Sequence, residues 1–265
     1  MDNVRDELAR TVQSSKAPAI SRAAAILRLL GKTSSPLSLN AISNDLGLPA
    51  STCLYALRAL TEETLVAFDP DTKRYALEAG VLALARQWLR RNRFTDLAQS
   101  CLDNISSDLD LNLMAVQILG LDQMIVVATA PAPSGYRLGA DVGARFPALL
   151  SATGRCIAAF GRHSREDLEP RFRTLRWDNP PSFDEWLTQA DSARAIGIGM
   201  DEGQYMAGVT VMAAPVLRAD DTPSHALVAI GVASTLPPER LALAQTTLRR
   251  AAQSLTQQMT GSEGT

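Results

Sequence analysis

One short run concentrates side chains suited to a polyanion. In LPASTCLYALRAL the residues Cys53, Ala56, Leu57 and Leu60 fall at helical spacing and make an apolar stripe. That leaves Ser51, Thr52, Leu54, Tyr55 and Arg58 at the N-terminal tip and outer face of the helix. A helix start with hydroxyls and a guanidinium suits contacts to phosphates and base edges. Lys73 and Arg74, in a hairpin, and Arg22, near a helix start, add cations placed for the sugar-phosphate backbone. The chemistry on offer is recognition of double-stranded DNA.

The remaining reactive residue types fit catalysis poorly. The two histidines, His163 in GRHSRED and His225 before an apolar strand, have no metal-ligand partner at i+3 or i+4. There is no GxSxG string, and Cys156 sits mid-helix among small apolar residues, where packing explains it better than nucleophilicity. Gly197, Gly199 and Gly203 miss the dinucleotide-binding spacing by one and do not open a helix. Asp201 and Glu202 are adjacent, so in a strand they point to opposite faces and cannot form an acid/base pair. No cofactor is expected. The competing reading is an enzyme that uses the C-terminal half on a small organic acid or amide.

The elements that carry these residues can be read from periodicity and caps. Residues 1–18 are polar and mixed in charge, an N-terminal arm. Ser21 is expected to cap a core helix that Gly31 stops. Ser38 can cap a second, short helix, Gly47 ends it, and Pro49 opens the third, which describes a helix-turn-helix. LVAFDPDTKRYAL then alternates for two strands about Asp69-Pro70-Asp71-Thr72, a wing. This places a winged helix-turn-helix at 19–78. Gly80 to Asp110 reads as one long helical stretch, both linker (79–96) and dimer surface. Beyond it, at 97–261, come strand-like runs (NLMAVQILG, DQMIVVATA, YRLGADVG), a helix from about Pro147, two polar helices, three further strands and a final helix from Pro237. Antiparallel strands with helices packed at one side make the C-terminal domain α+β.

Length and charge agree with two soluble domains. The chain has 265 residues, 46% of them hydrophobic, and a net charge of -2 that argues for no particular partner. Its distribution says more: Arg86, Arg90, Arg91 and Arg93 form a basic junction, and beyond Leu97 acids outnumber bases. The three cysteines, Cys53, Cys101 and Cys156, stand singly, which fits a reducing compartment. With no apolar run of about 18 residues, the expected location is the cytoplasm, without a membrane partner.

The strings SRAAAILRLL, LPASTCLYALRAL, LVAFDPDTKRYAL, GADVGARFPALLSATGRCIAAF and ARAIGIGMDEGQYMAGVTVMAAPV resemble the IclR family of bacterial transcriptional regulators over nearly the whole chain. The resemblance implies a winged-helix DNA-binding domain, a linker helix and a GAF-like effector domain. It also implies homodimers or dimers of dimers on palindromic operators, and repression is the direction taken here. Members usually carry a basic residue where Ala50 stands and an arginine where Tyr55 stands, so operator preference does not transfer. Asp201 falls where some members hold a small acid, whereas their cysteine and two serines align with Val211, Gly231 and Ala233. That loss of side-chain donors implies a less polar effector, an aromatic or hydrophobic acid, amide or ester. Met114 and Val116 would line its site, and backbone N–H groups of Ala152, Thr153 and Gly154 at a helix start would anchor a polar end.

Overall fold

The computed structural model describes residues 16–91, 93–135 and 138–261. The arm is outside the described residues up to position 15, as is the start of the YRLGADVG run. The chain divides into two units, Met1–Arg91 and Asn92–Thr265.

In the first unit, α1 runs over Pro18–Leu30 and buries Ala25, Ile26 and Leu30. It begins three residues before Ser21, because Pro18 occupies the first turn, where its missing N–H costs nothing. After the two-residue strand β1 (Leu37–Ser38), Ser38 Oγ accepts from Ala41 N at 3.3 Å and caps α2 (Leu39–Leu46). Gly47 ends α2 in the left-handed region, at φ 62°, where most side chains are strained. The next helix, α3 (Ala50–Glu62), buries Cys53, Leu57 and Leu60 against Ile26, Ile42 and Leu46. Strands β2 (Val66–Asp69) and β3 (Arg74–Leu77) pair antiparallel, and β1 joins to give the order β1-β3-β2. The Asp69 carboxylate holds the intervening turn, accepting from Thr72 Oγ1 at 2.6 Å and from the amides of Asp71 and Thr72. These bonds keep its pKa below the ordinary value. Helix α4 (Gly80–Arg91) closes the unit.

The second unit opens with α5 (Arg93–Leu109), and α4 and α5 together occupy the expected helical stretch, with Asn92 between them outside the described residues. Six strands follow in a single antiparallel sheet: β4 (Asn112–Leu119), β5 (Gln123–Ala130), β6 (Arg145–Pro147), β7 (Gly199–Glu202), β8 (Val209–Leu217) and β9 (Pro223–Val232). Their order is β6-β5-β4-β9-β8-β7. Three helices, α6 (Ser151–Phe160), α7 (Arg165–Phe172) and α8 (Phe183–Ile196), lie between β6 and β7 in sequence, and α9 (Pro238–Thr260) ends the unit. Ser164 with Asp167, and Ser182 with Glu185, form capping boxes that start α7 and α8. The helix expected from about Pro147 begins at Ser151, and His225 lies within β9 rather than before it.

Helices cover both faces of this sheet, not one. Leu113, Ala115, Met212, Ala214, Leu227 and Ala229 pack with α5 and α9 residues such as Phe94, Leu102, Leu248 and Leu255. The alternate residues Met114, Val116, Val211, Ala213, Ala226 and Val228 face the side of Ala152 and Cys156 on α6. The reason was visible in β8, VTVMAAPVL, whose run is apolar without alternation and therefore needs cover on both sides. A further cluster packs Phe172, Phe183 and Trp186 of α7 and α8 against Leu149 and Ile157.

Candidate DNA-reading face and effector cavity

The first unit presents α3 as a helix buried on one side only. Cys53 and Leu57 are fully buried, while Ser51, Tyr55 and Arg58 are exposed, Tyr55 at 73%, and Thr52 and Leu54 are half-buried. So large an exposed aromatic on a helix with an otherwise well-packed core has no packing role within this unit. At the wing, Lys73 is exposed at φ 54°, next to Arg74, whose Nη1 donates to Pro36 O at 2.9 Å and ties β3 to the chain before β1. Arg22 is half-buried, its Nε sequestered without a hydrogen-bond partner beside the Cys53 thiol. Only part of that side chain is open to an outside partner.

On α4 the apolar residues Leu82 and Leu84 are exposed at 69% and 68%, with Trp88 at 42%. Arg86 and Arg93 are also exposed, and the side chains of Arg90 and Arg91 lie outside the described residues.

The second unit holds a partly open cavity of about 120 Å³ between the sheet and the start of α6. Met114, Val116, Val211 and Thr153 line it, as do Met124, Phe146, Leu150, Ser151, Tyr205, Met206, Val209, Val228 and Ile230. Strand pairing brings the first of these together: Met114 is opposite Val228 across β4 and β9, and Val211 opposite Ile230 across β8 and β9.

The other expected site residues are placed elsewhere, each for a geometric reason. Gly231 is one residue out of phase with Val228 and Ile230 and points to the opposite face, where an added Cβ would meet Leu236 at 2.8 Å and Leu111 at 2.9 Å. Ala233 has left the strand for an exposed 3-10 turn. Ala152 is wholly buried under the sheet, and Gly154 is pressed on Leu149, with its amide already donating to Leu150 O at 3.1 Å. Of the three amides expected as anchors, that one is spent.

Asp201 is a correction of another kind. Its carboxylate is 1% exposed and is not part of the cavity wall, with Oδ2 at 3.1 Å from Arg155 Nη1. Its Oδ1 accepts from the amides of Gln204 and Tyr205 at 3.0 and 3.1 Å, while Glu202 points outward into solvent. Arg155, with no exposure at all, is held further by Gln189 Oε1 at 2.9 Å and by Gln204 Oε1, with the Trp177 ring beside it. Burial pulls its pKa down, opposed by Asp201. This network pins the β7–β8 loop, which carries Tyr205 and Met206 into the cavity wall. The sequence hint was an arginine amid the small apolar residues of SATGRCIAAF, which only a buried acid can balance.

Two further groups were not anticipated. Ser151 is 6% exposed, its Oγ has no hydrogen-bond partner, and its φ is 55°. His225 is stacked on Phe94 at 3.9 Å between ring centroids, and burial pushes its pKa down to about 4. Cys156 donates to Ala213 O at 3.1 Å and burial raises its thiol to about 12, which leaves no thiolate for nucleophilic work. Among the described residues no cluster of three or more His, Cys, Asp or Glu could hold a metal ion, and no helix is long and apolar enough to cross a membrane.

A helix-turn-helix with a wing, followed by a separate unit that holds a small apolar cavity, has the arrangement of a transcription regulator. Comparison with known proteins agrees. Residues 19–70 match the IclR helix-turn-helix domain, and residues 87–257 match the bacterial transcriptional regulator IclR C-terminal domain. The chain belongs to the IclR family of DNA-binding transcription regulators, and the enzyme reading falls with that assignment. It is 33% identical over 239 residues to the glycerol operon regulatory protein of Streptomyces griseus, covering 88% of each chain. The fold is shared with an IclR transcriptional regulator from Alicyclobacillus acidocaldarius, at TM-score 0.77 and 24% identity over 91% of this chain and 98% of that one. It is shared also with an IclR homolog from Microbacterium hydrocarbonoxydans complexed with 4-hydroxybenzoate, at TM-score 0.73 and 16% identity, covering 91% and 98%.

Proposed function

We propose that this regulator is a cytoplasmic repressor whose hold on its operator is released by a compact, largely apolar ring compound bound in the second unit. The observation that carries the reading is the cavity: about 120 Å³, walled by Met114, Val116, Phe146, Val211, Val228 and Ile230. Apolar cavities near 150 Å³ stay dry and take benzene, so this volume suits one ring. A solved relative that holds 4-hydroxybenzoate supports a ligand of that size.

On the DNA side, Ser51, Thr52, Leu54, Tyr55 and Arg58 enter the major groove from α3, and Arg22, Lys73 and Arg74 hold phosphates. Two copies joined through the exposed apolar residues of α4 place two such helices on a palindromic site. The test is a mobility shift on the protein's own promoter region, titrated with phenol, benzoate, benzamide, glyoxylate and pyruvate. Single-ring compounds release the DNA and the small acids do not. Release by glyoxylate or pyruvate alone would overturn the ring reading, and no DNA binding at low salt would overturn the operator reading.

A further inference from the structure

The cavity wall is hydrocarbon except at one end, where Ser151 and Thr153 begin α6 and Tyr205 approaches from the β7–β8 loop. Among these, Ser151 stands apart. The residue that caps α6 is Leu150, which has no side-chain oxygen, so Ser151 is the first helical residue and its hydroxyl plays no capping part. It is buried, lines the cavity and bonds to nothing. Its backbone is also in the left-handed region, φ 55°, a conformation that costs a serine energy and collects at ligand-binding positions. A buried hydroxyl without a partner carries a desolvation cost that a ligand can remove.

We propose that Ser151 is the polar anchor of the cavity and that the effector is an uncharged single-ring compound whose one hydroxyl group meets it. This rests on the cavity being the effector site. The charge follows from the surroundings. No Asp, Glu, His, Lys or Arg lines the cavity among the described residues. The nearby cation of α6, Arg155, is already neutralised by Asp201 and further bonded to Gln189 and Gln204. A carboxylate would therefore find no counter-ion among the described lining residues, and a buried charge without one is costly. The hydroxyl follows from the donors and acceptors. The first-turn amides of α6 have no intrahelical acceptor and only donate, whereas Ser151 Oγ can accept. Ser151 Oγ also donates, so a ketone or ether can accept from it and from such an amide, but only a ligand O–H can in addition donate to the Oγ lone pair.

The test is titration calorimetry on the full chain with phenol, benzyl alcohol, benzoate and toluene. It compares wild type with Ser151→Ala, Ser151→Gly and the cavity-filling Val228→Phe. Phenol or benzyl alcohol is expected to bind at least fivefold more tightly than benzoate or toluene. Both Ser151 variants should weaken the hydroxylated ligands roughly five- to tenfold, the loss of one neutral hydrogen bond, and leave toluene unchanged. The glycine variant covers the possibility that alanine strains the backbone. A role in folding alone would appear as a lower thermal midpoint without ligand, whereas removing an unsatisfied hydroxyl should leave that midpoint unchanged or raised. Rings that bind and are excluded by Val228→Phe, yet prefer a carboxylate or ignore the loss of Ser151 Oγ, overturn this inference and leave the cavity reading standing. Absence of binding by any of the four overturns both.

Discussion

Replacing Asp201 by alanine tests whether the Arg155–Asp201 pair supports the effector unit. The charges are 3.1 Å apart, with side chains at most 1% exposed. At an effective dielectric of about 20, Coulomb's law gives roughly 5 kcal/mol for that separation. Desolvation offsets much of this in the intact pair, but removing one partner leaves the other buried and uncompensated at about 3–5 kcal/mol. Gln189 and Gln204 keep accepting from Arg155, which lowers the loss, while the Gln204 and Tyr205 amides forfeit Oδ1, which raises it. About 4 kcal/mol is expected, a large fraction of the 5–15 kcal/mol typical of a domain. Arg155→Met should cost a similar amount, and the double variant Arg155→Met/Asp201→Ala markedly less than the sum, with at least about 2 kcal/mol of coupling. Urea unfolding followed by tryptophan fluorescence measures this, since Trp177 lies beside Arg155 and Trp186 is buried on α8. Single effects that simply add, or an Asp201→Ala loss under about 1 kcal/mol, would refute the reasoning. Because the same pair pins the loop bearing Tyr205 and Met206, ring-compound affinity should fall with it.

Further outcomes follow from other parts of the molecule. Tyr55→Ala and Arg58→Ala should each cost roughly 1–3 kcal/mol on operator DNA and less on random DNA; equal losses at matched salt would assign them to the backbone. Lys73→Ala should weaken both and reduce the salt slope by about 1, and an unchanged slope would remove the wing from the interface. Leu84→Asp, at a residue 68% exposed on α4, should shift sedimentation toward monomers, and a wild type already monomeric at micromolar concentration would contradict the dimer. His225 is neutral in the fold, with its pKa lowered from 6.5 to about 4, so the unfolded chain takes up the proton first. Stability should therefore fall as pH drops from 6.5 toward 4, by up to about 3 kcal/mol, and the slope should flatten in His225→Gln; a slope that persists would exclude this residue as its source. Gly231→Ser, pressed on Leu236 and Leu111, should lower stability and leave ring binding unchanged, and a change in affinity would place this residue back at the cavity.

Much of this protein was written in local pattern. The Ser38 cap, the Gly47 stop, the Cys53/Leu57/Leu60 stripe and the Asp69 turn each depend on a few neighbouring residues, so the first unit and its exposed helix face are legible in the sequence alone. The apolar strands at Met114, Val116 and Val211 were legible for the same reason, since period-two geometry puts alternate residues on one face. Register was not. A one-residue phase difference sends Gly231 to the α5–α9 side while Ile230 faces the cavity, and no local signal distinguishes the two in the apolar run from Ala226 to Val232. Nor could sequence pair Arg155 with Asp201, which are 46 residues apart and meet only because α6 packs on β7. That distant partner turned an aspartate expected to hold a ligand into a structural counter-ion. The orphan hydroxyl of Ser151 is likewise a tertiary property, because a hydroxyl lacks a partner only once everything packed around it is known.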